Sequence, residues 1–187
     1  MKNLVLKTFY LILFNISFIC NAQTNSAEKI NTEINKEFYA SHKSFSGKLN
    51  ADELKNIKLL IGQELNLEIP DNKSIIINYY QYGKNCFEYS NNNKDDEIMI
   101  EKSVKISSRI AKDLNAIDFF IYSENALHKE IIEKRNDFIK DSGFFSDIIF
   151  TLHENCQAFF ILKPNGEFLK HYGTDYFSII NAFLKKK

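Results

Sequence analysis

The chain has 187 residues, with 24 basic side chains balanced by 24 acidic ones and a hydrophobic content of 44%. That balance excludes the basic excess by which a domain holds nucleic acid or an anionic membrane. Only two of the 24 cations are arginine, which disfavours a phosphate site built on guanidinium forks.

Residues 1–22 read as a signal peptide. Lys2 and Lys7 give a basic start, TFYLILFNISFIC is a short apolar core, and Cys20-Asn21-Ala22 places small residues at the −3 and −1 positions for cleavage after Ala22. The competing reading is an uncleaved anchor. Lipidation at Cys20 is disfavoured because Phe18 and Ile19 are bulky. The protein is thus expected to be exported, to a periplasmic or secreted location, with no stable membrane span after cleavage. The mature chain would hold 165 residues (187 − 22), enough for one domain. It would carry 22 basic residues (24 − 2) against 24 acidic ones. Three cysteines become two, Cys86 and Cys156, and in an oxidising compartment two thiols usually pair.

Residues 23–57 read as an N-terminal helical arm and linker. Asn25 and Glu28 have capping-box spacing, Ile30, Ile34 and Phe38 recur every fourth residue, and SHKSFSGKLN is a linker. Asn50 and Glu53 repeat the capping box before a short helix that Gly62 ends. Ser74–Tyr80 is an unbroken apolar run, the mark of a strand covered on both faces. Asp95–Leu114 has one apolar face and is helical. Ile117–Tyr122 is a second strand, Ala126–Lys140 a second helix, and Ala158–Leu162 a third strand. Lys163-Pro164-Asn165-Gly166 is a tight turn into a fourth, antiparallel strand, Glu167–His171. Asp175 can cap a last helix. The order β-α-β-α-β-β-α predicts an α/β fold, with a mixed central sheet between flanking helices.

Four passages carry a family likeness: LLIGQELNLEIP, SIIINYYQYGKNC, CQAFFILKPNGEFLKHYG and DYFSIINAFL. Together they resemble the exported thioredoxin-like (redoxin, AhpC/TSA-related) family over residues 58–187. The resemblance implies a thioredoxin-like domain there. It also implies thiol-disulfide oxidoreductase or peroxidase activity without a cofactor, with protein thiols or disulfides, or a peptide, as partners. The sequence departs from the family pattern at chemically important places. The window that would hold C-x-x-C is Gly83-Lys84-Asn85-Cys86, with one cysteine. The cis-proline position falls at Gln157, where a trans bond is expected. The peroxiredoxin threonine and proline places hold Gly83 and Tyr79.

The same resemblance places Cys86 beside Cys156, in the loop before the third strand, and three readings stay open. Cys86 is a nucleophile and Cys156 its partner, which requires a stabilised thiolate near a helix start. Alternatively the pair is a structural disulfide that staples a non-enzymatic binding module. Lastly, Cys86, Cys156 and His153 form a copper site. The remaining histidines, His42, His128 and His171, read as surface residues. Tyr79, Tyr80 and Tyr82 read either as core or as the lining of a peptide groove. No Walker loop, G-x-S-x-G, G-x-G-x-x-G or H-E-x-x-H is present.

Overall fold

The computed structural model describes residues 33–87, 93–174 and 177–186. The expected signal peptide, the expected Asn25–Glu28 capping box and the expected Asp175 cap lie outside the described residues. In chain order the elements are α1 (Lys36–Ser41), β1 (Lys43–Lys48), α2 (Ala51–Leu65), β2 (Ser74–Tyr80), α3 (Asn93–Asp113) and β3 (Ala116–Tyr122). They continue with α4 (Lys129–Ile132), β4 (Phe138–Lys140), a π turn (Phe145–Ile149), β5 (Gln157–Leu162), β6 (Glu167–Tyr172) and α5 (Phe177–Lys185).

The strands form one mixed sheet in the order β1-β6-β5-β2-β3-β4. β2, β3 and β4 run parallel, whereas β5 is antiparallel to β2, β6 to β5 and β1 to β6. The protein is therefore α/β, as its alternation of apolar strands and amphipathic helices predicts. β2 sits at the centre and all seven of its residues are buried, which explains its unbroken apolar run. Ile75, Ile77 and Tyr79 face α2 and the π turn, packing with Ile61, Phe145 and Phe150. Ile76 faces the opposite layer, with Ala111 of α3 and Ile180 of α5. Asn78, buried on that second face, donates from Nδ2 to Ser107 Oγ of α3 at 3.0 Å and to Phe119 O at 3.2 Å.

Several boundaries follow the sequence closely. Asn50 and Glu53 form the expected reciprocal capping box on α2. Gly166 takes a positive φ of 85° in the β5–β6 turn. No peptide bond is cis among the described residues, Gln157 included.

Other expectations are corrected. The supposed linker contains β1, which pairs with β6 at the edge of the sheet among the described residues. Its residues are mostly exposed, so it lacks the apolar alternation by which a strand is recognised. Together with Leu54 and Ile57 of α2, which pack on the core, β1 brings residues from the predicted arm and linker into the domain. Gly62 does not end α2. A Cβ there would lie 2.7 Å from Leu67 O, so the glycine permits close backbone approach, and the helix ends at Asn66 in the left-handed region (φ 52°). The long second helix is replaced by four-residue α4 and by β4. Its helical spacing misleads because Phe138 is buried in a different way, as a strand residue against Phe120 and Tyr80. A forked Arg135–Asp137 ion pair holds the turn before it.

Candidate functional site

β2 delivers its last residue to one end of the sheet, and β5 begins at the same end because it is antiparallel. The loops 81–87 and 151–157 therefore lie alongside each other. Cys86 and Cys156 are joined there in a disulfide, with Cα atoms 4.9 Å apart and a sequence separation of 70. The two cysteines differ in access: Cys86 is 1% exposed, whereas Cys156 is only partly buried.

The loops are also held by hydrogen bonds that involve no sulfur. Gln81 N–H donates to Cys156 O at 2.8 Å, and Asn85 N–H to Glu154 O at 2.9 Å. Gln81 Nε2 donates both its protons, to Leu152 O at 2.9 Å and Asn155 O at 2.8 Å. That orientation leaves Gln81 Oε1 to accept from His153 Nδ1 at 3.0 Å, which puts the imidazole proton on Nδ1. Gly83 is needed because a Cβ would come within 2.6 Å of the Glu154 carbonyl carbon, a backbone atom that cannot swing away. Its own N–H donates to Cys86 Sγ at 3.1 Å, and Cys86 N–H returns to Gly83 O at 3.0 Å.

The arm is fastened to this seam. Asn155 is buried; its Nδ2 donates to Ser41 O at 2.7 Å, and its Oδ1 lies 3.0 Å from the Ser41 hydroxyl. Phe38 of α1 meets Phe87 edge-to-face at 5.7 Å. α1 thus packs against a chain neighbour of each cysteine, Phe87 and Asn155.

Cys86 is not at a helix start. Residues 84–85 form a turn and α3 begins at Asn93. Among the described residues, the donor presented to its sulfur is a loop amide rather than a helix terminus. His153 is exposed and engaged with Gln81, while both sulfurs are bonded to each other, so this state presents no thiolate for the copper reading. Among the described residues, no three His, Cys, Asp or Glu side chains are grouped to hold a metal.

A cleft of about 830 Å³ opens at the carboxyl ends of β3 and β4, where open α/β sheets commonly take ligands. Its lining includes Ser123, Glu124, Lys140, Asp141 and His153. Glu124 is held down to about 2 by its bonds to Lys129 and Lys140. Asp141 accepts from Gly143, Phe145 and Ser146 N–H groups, at 3.0, 2.9 and 2.9 Å, and from Tyr79 OH at 2.9 Å. Burial, then the Asp141 charge, pushes the Tyr79 phenol well above the usual tyrosine range. Tyr79 stacks on Phe150 at 4.5 Å and is fully buried, so of the two readings of this tyrosine the core one holds.

The sequence singles out both cysteines but assigns no structural role to Gln81, Asn155 or Ser41. Gln81 carried a signal: a polar residue directly after seven buried ones needs internal partners. Two histidines expected at the surface are buried or half-buried. His171 is buried beside Phe159, with Nδ1 2.6 Å from Ser44 Oγ. His128 stands 3.5 Å from buried Asp96. No helix among the described residues is long and apolar enough to cross a membrane. Comparison of the chain with protein-family models, with curated proteins and with solved structures finds no match.

Proposed function

We propose that the protein is an exported thiol-disulfide exchange protein built on a divergent thioredoxin-like domain, with Cys86–Cys156 as its reversible bond. The observation that carries the reading is the redundancy of the seam. Gln81, Asn85 and His153 hold the two loops together without the sulfurs. The bond can therefore open and close with little change in the surrounding backbone, as an exchange disulfide requires. The domain assignment draws support from the strand order. A parallel β2-α3-β3 unit beside an antiparallel β5-β6 hairpin, closed by α5, is the arrangement that the family resemblance leads one to expect. The apolar leader and the pairing of both remaining cysteines are consistent with an oxidising compartment.

A second reading, a structural staple on a binding module, is favoured by the burial of Cys86. The reduction potential of the mature protein separates the two. Exchange predicts a value above about −300 mV and equilibration with glutathione buffers. A lower value, with a bond that resists glutathione, would make the disulfide a staple and remove the exchange function.

A further inference from the structure

We infer that exchange enters through Cys156, with Cys86 as the leaving and resolving sulfur. This reverses the order suggested by the position of Cys86 after β2, and it rests on the exchange reading above. A thiolate displaces a disulfide sulfur by approaching it from behind, along the S–S axis, so access selects which sulfur is attacked. Cys86 is closed off at 1% exposure, in a turn covered by the 153–155 backbone. Cys156 is partly exposed at the entry to β5.

The leaving side is also prepared. When the bond breaks, its electron pair goes to Cys86 Sγ, and the Gly83 N–H already lies 3.1 Å from that atom. A donor placed on the departing sulfur stabilises the thiolate and makes it a better leaving group. The backbone on both sides stays fixed. Cys86 N–H is bonded to Gly83 O, and Cys156 O to Gln81 N–H. Asn155 is tied to Ser41, and Gln157 is paired with Tyr80.

In the reductive direction an incoming thiolate RS⁻ bonds to Cys156 Sγ as the Cys156–Cys86 bond breaks, giving R–S–S–Cys156 and a Cys86 thiolate. A second RS⁻ then attacks the R-group sulfur, releasing RSSR and a Cys156 thiolate. Two thiolates are oxidised and one protein disulfide is reduced. In the reverse direction the Cys156 thiolate attacks a substrate disulfide and expels one thiolate. The Cys86 thiolate then attacks Cys156 Sγ, restoring the protein bond and expelling the second.

The test uses the oxidised mature protein with reduced glutathione, quenched with N-ethylmaleimide and mapped by peptide mass spectrometry. Glutathione on Cys156 with maleimide on Cys86 is expected, in about tenfold or greater excess over the opposite pattern. The opposite pattern, or equal labelling, would overturn the assignment while leaving exchange standing. An intact disulfide with neither adduct would overturn exchange itself. Single variants exclude intramolecular transfer of the adduct: with oxidised glutathione, Cys86→Ser should be modified at least about tenfold faster than Cys156→Ser. Equal rates, or a faster Cys156→Ser, would also overturn the order.

Discussion

The cysteine seam and the turn over residues 141–150 lie at the same end of the sheet, and both anchor irregular chain to it. The seam has a covalent bond, but the Gln81 amide and the Asn85 N–H make the same connection without it. The turn has no covalent bond. One carboxylate, Asp141, gathers three backbone N–H groups and the buried Tyr79 hydroxyl. The lesson is that the strongest bond is the replaceable one in the native structure. Removing the carboxylate takes the acceptor from three backbone N–H groups at once.

The largest effect is expected from removing both sulfurs. A double variant, Cys86→Ser with Cys156→Ser, should lose about 4 kcal/mol, the chain-entropy value for a loop of this size. That loss acts through the unfolded state. Far-ultraviolet circular dichroism and amide shifts outside residues 81–87 and 151–157 should stay native-like. A native state that itself loosens across the sheet would break the comparison, since the hydrogen bonds would then not hold the seam alone.

Acid tests the molecule away from both segments. Burial, and then the charge of His42, pushes His171 down to about 4. A base whose folded pKa is depressed binds its proton more readily in the unfolded chain. Stability is therefore full above about pH 6.5 and falls as pH drops from there toward 4, by up to about 3 kcal/mol. His171→Gln should flatten that slope in a pH series of urea titrations. An unchanged slope would assign it elsewhere.

Asp141→Ala should cost about 2–3 kcal/mol, because charge-assisted bonds to buried donors are lost together. Hydrogen exchange should accelerate first at Phe145 and Ser146. A loss below about 0.5 kcal/mol would show that the turn is as redundant as the seam. The smallest effect is expected at the arm. Ser41→Ala removes the hydroxyl that lies 2.6 Å from Phe38 O and 3.0 Å from Asn155 Oδ1 but keeps the contact from Asn155 to the Ser41 carbonyl, for about 1 kcal/mol. Protection of the seam amides should be unchanged.

Much of the scaffold was legible because burial on both faces leaves a direct trace in residue type. β2 and β5 are continuous apolar runs, and α3 shows a helical stripe. Asn50 with Glu53 states a helix start chemically. β1 and β4 were illegible for the converse reason. β1 is an exposed edge, and in β4 a three-residue strand carries too little pattern to outweigh the helical spacing of Leu127, Ile131 and Phe138. The two cysteines stood out by their scarcity. Gln81, Asn155 and Ser41 did not, since ordinary polar residues acquire their roles only from the atoms that fold against them.

By itself, the sequence determined the α/β class, the central strand, the main helix and the two cysteines available for pairing, because these depend on local periodicity and composition. Only the tertiary structure decided which sulfur is covered, which backbone groups hold the seam without it, and where Asp141 collects its donors. Those are contacts between segments up to 114 residues apart. Their energies depend on distance and exclusion of water, quantities that exist only once the chain has folded.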